Sequence, residues 1–313
     1  MGGSAMGDEG AEGFILALYN NENVDTLFLG ANKLTPAAAF SIRDMLKHNN
    51  RLRRLDLGYN DIQNEGAIAL AEGLKSHCQL EWLVLEVNEI SDTGISALAA
   101  TIRENLCYPN GLMRLHIGGN NILVEGAKAL AAALQVDPPL QVLDLGFNNI
   151  QDEGAKAIMD SLRYNVNLRL LDMESNYLTY NNWHTLSNGG RMILETIVLR
   201  GNMINVESII LLLEVCHSLR NLDIGFALLP TNAVSQLGMI LQKNYYIRQV
   251  KLDGNSVTKD NAVSLIDAII YRSCLNRPLE IVSDLMNLNR IATLSPRACD
   301  GIVLVDGVLM YNE

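Results

Sequence analysis

One eleven-residue pattern recurs nine times along this chain of 313 residues. Each copy reads L-x-x-L-x-L-x-x-N-x-L with conservative exchanges, and successive copies begin 25 to 32 residues apart. The copies begin at Val24, Leu52, Leu80, Leu112, Leu140, Leu168, Leu194, Leu219 and Ile247. Self-similarity at a nearly fixed period is typical of proteins built by stacking similar units, each packed against its neighbours. The pattern therefore predicts a repeat array.

The second half of each repeat has the periodicity of a helix. Beginning seven residues after the Asn, apolar residues recur at the spacing of one helical face, as at Ala67, Leu70, Ala71 and Leu74. A glycine stands just before this face in four repeats, at Gly66, Gly94, Gly126 and Gly154. A small residue there lets the helix start close to the neighbouring backbone. Each repeat is predicted to be a short strand, a turn and a helix.

Packing distances predict the shape of such a stack. Parallel strands lie about 4.8 Å apart, whereas packed helices need about 8–10 Å. The helix side must therefore be longer than the strand side, so the array curves with its strands on the concave face and its helices on the convex face. The fold class is predicted to be α/β, with the repeated Leu and Ile side chains forming one continuous core between the two layers.

The Asn of the pattern is expected to hydrogen-bond backbone groups in the turns of adjacent repeats, which would otherwise be buried without partners. Eight copies have it: Asn32, Asn60, Asn88, Asn120, Asn148, Asn176, Asn202 and Asn255. The remaining copy has Ala227 at this position.

The 28-residue repeat length and the helical segments NEGAIALAEGL, VEGAKALAAAL and DEGAKAIMDSL resemble the ribonuclease-inhibitor-like class of leucine-rich repeats, over about residues 8–275. That class also includes the repeat domains of NOD-like receptors, the Ran GTPase-activating protein and tropomodulin. The resemblance implies a right-handed leucine-rich-repeat solenoid, or horseshoe. The sequence departs from ribonuclease inhibitor itself in having Asn at the ninth position where that protein alternates Asn with Cys.

The domain organisation follows from the limits of the pattern. Residues 1–7 are expected to be a tag or a disordered segment, and residues 8–275 a solenoid with an N-terminal helix and about nine repeats. Residues 276–313 are expected to form a C-terminal cap with a β-hairpin, whose two strands flank a type I′ turn at Asp306-Gly307. The segment 177–193, with Trp183 at a helix position, departs most from the pattern and is a candidate contact surface.

Charge and composition exclude several kinds of function. The formal net charge is -11 and the pI about 5.0, so neither nucleic acid nor an anionic membrane is an expected partner. No apolar run approaches the roughly 20 residues that span a bilayer. The five cysteines are Cys78, Cys107, Cys216, Cys274 and Cys299, an odd number without a C-x-x-C motif. They favour free thiols and a cytoplasmic location, with the nucleus as an alternative.

The residues that flank the strand leucines are predicted to face the hollow of the array. Among them are seven acidic, four basic and five aromatic side chains, a composition typical of protein-binding surfaces. The predicted partner-binding residues are Tyr59, Trp82, Glu86, Arg114, His116, Asp144, Phe147, Asp172, Glu174, Arg200, Asp223 and Phe226.

Equivalent positions of adjacent strands lie side by side, so Asp144 and Asp172 are expected to be about 5 Å apart and to repel each other. We hypothesise that these two residues and Glu174 accept Lys or Arg side chains from a partner protein with a basic patch. The alternative is a solvated acidic face in which Arg200 and His116 are internal counter-ions.

No motif predicts catalysis, a cofactor or a metal. His116 is expected beside Asp144, but no Ser or Cys nucleophile belongs to the same face. The pairs His77-Cys78 and Cys216-His217 lack the ligand spacing of zinc sites, and no phosphate-binding G-x-x-x-x-G-K-[ST] loop occurs.

The predicted function is therefore a non-enzymatic scaffold that binds a protein through the concave face or its rim, as a monomer or a partner-dependent complex. The alternatives are a GTPase-activating protein of the Ran type, an actin-capping protein, or a ribonuclease-inhibitor-like regulator. The Ran-type alternative is weakened by the end of the sequence, Tyr311-Asn312-Glu313, which lacks the acidic run of that family.

Overall fold

A computed structural model of the protein describes residues 5–104, 110–179 and 192–283 and the strand segments 302–305 and 308–311. The predictions for residues 1–4, for Trp183 with the rest of 180–191, and for the turn Asp306-Gly307 fall outside these residues. The chain divides into two compact units, Met1–Asp172 and Met173–Glu313, called here the N-terminal and the C-terminal unit.

The N-terminal unit alternates helices and strands in the predicted α/β order. Its helices are α1 (Gly7–Leu18), α2 (Pro36–Leu46), α3 (Gln63–Leu74), α4 (Asp92–Glu104), α5 (Val124–Leu134) and α6 (Gln151–Ser161). Its strands are β1 (Thr26–Phe28), β2 (Arg54–Asp56), β3 (Trp82–Val84), β4 (Arg114–His116), β5 (Val142–Asp144) and β6 (Leu170–Asp172). Helix α2 shows how the sequence sets a boundary, since the Thr35 hydroxyl accepts from the Ala37 N–H and Pro36 occupies the first helical position.

The six strands pair in parallel and in sequence order, without a register shift. The middle residue of each of the strands β2 to β6 is buried in the core: Leu55, Leu83, Leu115, Leu143 and Leu171 are at most 1% exposed. The two flanking residues of each strand lie on the opposite face, which we call the sheet face. The predicted parallel strands and leucine core are thus confirmed.

The predicted asparagine contacts are also confirmed. The Asn60 side-chain oxygen Oδ1 accepts hydrogen bonds from the backbone N–H groups of Asn32 (2.9 Å) and Leu34 (3.0 Å) in the preceding repeat. Its side-chain N–H₂ donates to the backbone oxygens of Leu29 (3.0 Å) and Leu57 (2.8 Å). Related bonds are made by Asn88, Asn120, Asn148, Asn202 and Asn255. Each such side chain therefore joins two consecutive turns.

The glycines before the helical face allow neighbouring helices to approach closely. A Cβ atom added at Gly154 would lie 2.8 Å from the Ala127 Cβ of the preceding helix, and one at Gly94 would lie 3.0 Å from the Ala67 Cβ. These distances are too short for carbon atoms in contact. The small residue is needed for packing, as predicted.

The C-terminal unit contains the strands β7 (Thr196–Val198), β8 (Asn221–Asp223), β9 (Gln249–Lys251) and β10 (Glu280–Val282), which pair in parallel in this order. Its helices are α7 (Val206–Val215), α8 (Thr231–Lys243) and α9 (Lys259–Ser273). Two further strands, β11 (Ile302–Val305) and β12 (Val308–Tyr311), pair antiparallel with each other, and β12 pairs antiparallel with β10. No helix among the described residues of either unit has the length and apolar character needed to cross a bilayer.

The cysteines differ from the prediction at one position. Cys216 and Cys274 are free thiols, but Cys78 is disulfide-bonded. The prediction of free thiols throughout is therefore wrong, because wide sequence spacing does not prevent two thiols from meeting in the fold. Since disulfides are rare in the cytosol, the cysteines no longer favour a cytoplasmic location.

The adjacent His77 has a structural role: it is 3% exposed, and its ring nitrogens lie 2.6 Å and 2.8 Å from the backbone oxygens of Asn49 and Leu52.

Candidate functional site

Two rows of side chains cross the sheet face of the N-terminal unit. The first residues of the six strands form one row: Thr26, Arg54, Trp82, Arg114, Val142 and Leu170. The third residues form the other: Phe28, Asp56, Val84, His116, Asp144 and Asp172. Positive charge is therefore confined to the first row, and the acidic side chains belong to the second.

Trp82 occupies the middle of the first row, between two arginines. The guanidinium carbons of Arg54 and Arg114 lie 5.6 Å and 5.7 Å from the centre of its indole ring, within cation–π range. The indole Nε1 is buried and has no hydrogen-bond partner among the described residues. Trp82, predicted as an exposed contact residue, is therefore partly covered by the two charged groups, and Arg54 belongs to the site as much as the predicted Arg114.

Glu86, His116 and Asp144 converge on the second row. The His116 Nδ1 lies 3.4 Å from the Asp144 Oδ2 and 3.6 Å from the Glu86 Oε1. The other Asp144 oxygen, Oδ1, accepts a hydrogen bond from the Gly146 N–H at 3.0 Å, which fixes the carboxylate. The expected proximity of His116 and Asp144 is thus confirmed, and Glu86 completes a group of three.

The environment of this group disfavours a second negative charge. Burial raises the pKa of the Glu86 carboxyl, and the nearby Asp144 charge raises it further, whereas His116 acts in the opposite direction. Asp144 also faces Asp172 in register on β6, as predicted. This part of the sheet face therefore concentrates carboxylates that repel one another.

An apolar row runs beside the acidic one, in the turns that follow the strands. Tyr59, Val87 and Phe147 each precede the Asn of their repeat and have φ angles of 58°, 51° and 55°. Their side chains are 62%, 42% and 60% exposed. Val87 was not predicted as a site residue, although it occupies the same repeat position as Tyr59 and Phe147. We call these three residues the turn row.

The C-terminal unit arranges its predicted site residues differently. Arg200 lies between three carboxylates, 3.8 Å from Glu174, 3.7 Å from Asp223 and 2.5 Å from Asp253. The hydrogen bond that the Arg200 guanidinium donates to the Asp253 carboxylate is the main cause of the raised pKa of Arg200. Lys251 lies 3.3 Å from Asp223, which is only 8% exposed.

Glu174 and Asp223 therefore have counter-ions within the protein. For these two residues the structure favours the alternative of internal ion pairs over the hypothesis of contact with a partner. Phe226 is 51% exposed, and its ring lies 4.6 Å from the Arg200 guanidinium carbon. The sequence did not identify Asp253 as the strongest partner of Arg200, because repeat spacing fixes which residues are neighbours and not which ion pairs form.

Comparison with protein families gives a match to the description "Leucine Rich repeat" in three segments, residues 48–71, 112–131 and 136–159. Each segment contains one strand, the following Asn and the first turns of a helix, as at β2, Asn60 and α3. Among the other copies, Asn88, Asn202 and Asn255 make the same kind of bonds between consecutive turns.

Among the solved structures that the chain is similar to is an internalin (inlF) from Listeria monocytogenes strain 4b F2365. The two chains are 15% identical and superpose with a TM-score of 0.48 over 89% of this chain and 74% of the internalin. Comparison with curated protein sequences gave no significant match.

Proposed function

We propose, from the premise that the chain is a leucine-rich-repeat protein, that it is a non-enzymatic scaffold whose N-terminal sheet face binds a partner protein with a basic patch. Leucine-rich repeats form extended binding surfaces on a rigid stack, and function in such folds is determined by the residues on those surfaces.

The observation that supports this proposal is a difference in charge compensation between the two units. Among the described residues, neither Glu86 nor Asp144 has an ion pair with Lys or Arg, and their only basic neighbour is His116. In the C-terminal unit, Arg200 and Lys251 already neutralise the acidic side chains. The N-terminal sheet face therefore has acidic groups available to a Lys or Arg from outside.

The turn row adds the apolar part of the surface. Tyr59 and Phe147 are large, exposed and next to the acidic row, which is the combination expected of a hot spot with charged surroundings. Arg54 and Arg114 on the first row would pair with acidic groups of the partner that lie beside its basic patch. The predicted contact set thus becomes Tyr59, Trp82, Glu86, Arg114, His116, Asp144, Phe147 and Asp172, with Arg54 and Val87 added.

Affinity capture from cell lysate, followed by mass spectrometry, tests the proposal. The test variant is Asp144→Asn with Asp172→Asn, because Asn removes the charge and keeps an acceptor for the Gly146 N–H. The matched control is Glu65→Gln with Glu153→Gln, which removes the same charge from exposed first-turn positions of α3 and α6. We expect proteins captured by the wild type and by the control to be lost from the test variant. Capture that is unchanged in the test variant would refute the proposal.

The described contacts favour no second function. Around His116 they show carboxylates and an aromatic ring, without a Ser or Cys nucleophile among the described residues that contact it. The ribonuclease-inhibitor-like class remains a prediction. Single-turnover GTP hydrolysis with small GTPases and inhibition of a pancreatic-type ribonuclease separate the two principal alternatives from a plain scaffold.

A further inference from the structure

We infer that Glu86, His116 and Asp144 form a binding site for a divalent transition-metal ion such as Zn²⁺. This inference is independent of the proposed partner binding, because it concerns the chain alone. No sequence motif indicates the site, since zinc motifs place ligands a few residues apart. Here the ligands are 30 and 28 residues apart and are brought together by the register of β3, β4 and β5.

The distances within the group suit metal coordination better than hydrogen bonding. Each residue offers one ligand atom, and the three atoms lie within 4.8 Å of one another. The His116 Nδ1 is 3.4 Å and 3.6 Å from the two carboxylate oxygens, which is long for a hydrogen bond. In a tetrahedral site with bonds of about 2.0–2.1 Å, two ligand atoms are about 3.3–3.4 Å apart. Small side-chain movements would bring all three into that geometry.

The surroundings hold the ligands in place. Asp144 is anchored through Oδ1 by the Gly146 N–H, so Oδ2 is left for the ion. The three side chains are between 22% and 32% exposed. An ion can therefore reach them, and their partial burial limits competition from water. The Trp82 ring lies 5.9 Å from the His116 ring and forms an apolar wall on one side. Such outer contacts orient metal ligands and tune affinity.

Charge balance supports a dication. Two carboxylates and a neutral imidazole carry a net charge that one divalent ion cancels, and no Lys or Arg among the described residues pairs with either carboxylate. In the C-terminal unit the corresponding carboxylates converge on Arg200 instead. The same ion would relieve the repulsion between the Glu86 and Asp144 carboxylates, which lie 3.6 Å and 3.4 Å from the His116 Nδ1.

The donor set indicates the class of metal. One imidazole nitrogen and two carboxylate oxygens suit Zn²⁺ and its first-row neighbours, whereas Mg²⁺ and Ca²⁺ prefer all-oxygen sites. Three protein ligands leave the fourth position to water or to a side chain from a bound protein.

Isothermal titration of the chelator-treated full chain with Zn²⁺ alone tests the inference. We expect one ion per chain. Each of His116→Phe and Glu86→Gln should bind Zn²⁺ at least about tenfold more weakly than the wild type, because even changes to the residues around metal ligands weaken affinity by about that factor. Phe keeps a ring against Trp82 but has no ligand atom. The controls are His217→Phe and Glu125→Gln, exposed residues of the same types away from the group, which should bind as the wild type does. No binding, or equal affinity in His116→Phe and the wild type, would overturn the inference.

Fluorescence gives a second readout that locates the ion. The chain has 2 Trp residues, and a paramagnetic Co²⁺ ion held by His116 would quench Trp82 strongly because the two rings are 5.9 Å apart. We expect quenching that saturates with one equivalent, is displaced by Zn²⁺, and is largely lost in Trp82→Phe while calorimetric Zn²⁺ binding persists. Quenching that is unchanged in Trp82→Phe would place the ion elsewhere and overturn the assignment.

Discussion

The backbone N–H of Asn88 donates to the side-chain oxygen of Asn120, one repeat further along the chain, at 3.0 Å. The same oxygen accepts from the Ile90 N–H at 3.0 Å, and the Asn120 N–H₂ donates to the backbone oxygens of Leu85 and Ile117. One side chain thus satisfies four backbone groups in two consecutive turns. Because these turns are buried, the backbone groups have no access to water as an alternative partner.

Replacing Asn120 with Ala should destabilise the protein strongly. The variant leaves several buried backbone groups without partners, and each costs about 1–3 kcal/mol, so we expect a loss of about 3 kcal/mol or more in the free energy of unfolding. Urea denaturation measures it. Asn50→Ala is the matched control, since Asn50 is exposed, and should change stability by less than about 0.5 kcal/mol. Similar losses in the two variants would contradict the role assigned to Asn120.

The sequence predicted this part of the fold because the pattern itself encodes it. A residue that recurs at one position of every repeat occupies the same place in every turn, so a contact inferred for one Asn applies to Asn60, Asn120 and Asn202 alike. Strand register followed for the same reason, and with it the neighbours of His116 and Asp144. The proposed metal-ligand group also depends on this register, although its three residues lie in different repeats and form no short sequence motif.

Other features depend on side-chain geometry and were not predictable from spacing. Arg200 could reach several acidic groups, and only the fold shows that it bridges Glu174, Asp223 and Asp253. The disulfide at Cys78 and the left-handed backbone of the turn row were missed for the same reason. A repeat pattern fixes where a residue is, but not its backbone torsion or which of several partners its side chain selects.

Phe147→Gly should not lower stability, in contrast to most changes from a large apolar residue. Phe147 has a positive φ, a conformation that costs an L side chain about 1–2 kcal/mol and glycine nearly nothing. The equivalent residue of the preceding repeat is already a glycine, Gly119, with φ 66°. We expect an unchanged or slightly higher melting temperature, together with weaker capture of the partner. A clear loss of stability would show that Phe147 serves the fold.

The reverse change, Gly119→Ala, is the companion test. An added Cβ would combine the unfavourable φ with an approach of 2.7 Å to the Val87 Cγ2. We expect a loss of about 1–2 kcal/mol by thermal or urea unfolding. The two variants together distinguish a turn that requires a left-handed residue from a turn that merely tolerates one. An Ala variant as stable as the wild type would show that the turn adapts.

Glu86→Gln should stabilise the metal-free protein at neutral pH. The folded pKa of Glu86 is raised above its ordinary value of 4.5, so below 4.5 Glu86 is protonated in both states and contributes no penalty. As the pH rises through the raised folded pKa, the unfolded chain releases its proton more readily and the folded state loses relative stability. We expect the melting temperature of Glu86→Gln, in the presence of a chelator, to exceed that of the wild type at neutral pH and to converge with it as the pH falls towards 4.5. A gap that widened at acid pH would contradict the direction of the shift.

Arg200→Met should destabilise the C-terminal unit more than Lys128→Met destabilises the N-terminal unit. Arg200 is 26% exposed and neutralises Asp253 and the largely buried Asp223, so its loss leaves carboxylates poorly solvated and close together. We expect a decrease of about 1–3 kcal/mol in the free energy of unfolding, within the range for partly buried ion pairs that lose one member. Lys128 pairs with Glu125 on an exposed helix surface, where such pairs contribute about 0–1 kcal/mol.

Urea unfolding of both variants at low and high salt measures the difference. Salt should remove most of the small Lys128 effect and less of the Arg200 effect, because partly buried charges are screened less. If the two variants were equally stable, Arg200 would not be the internal counter-ion that distinguishes the C-terminal acidic face from the N-terminal one.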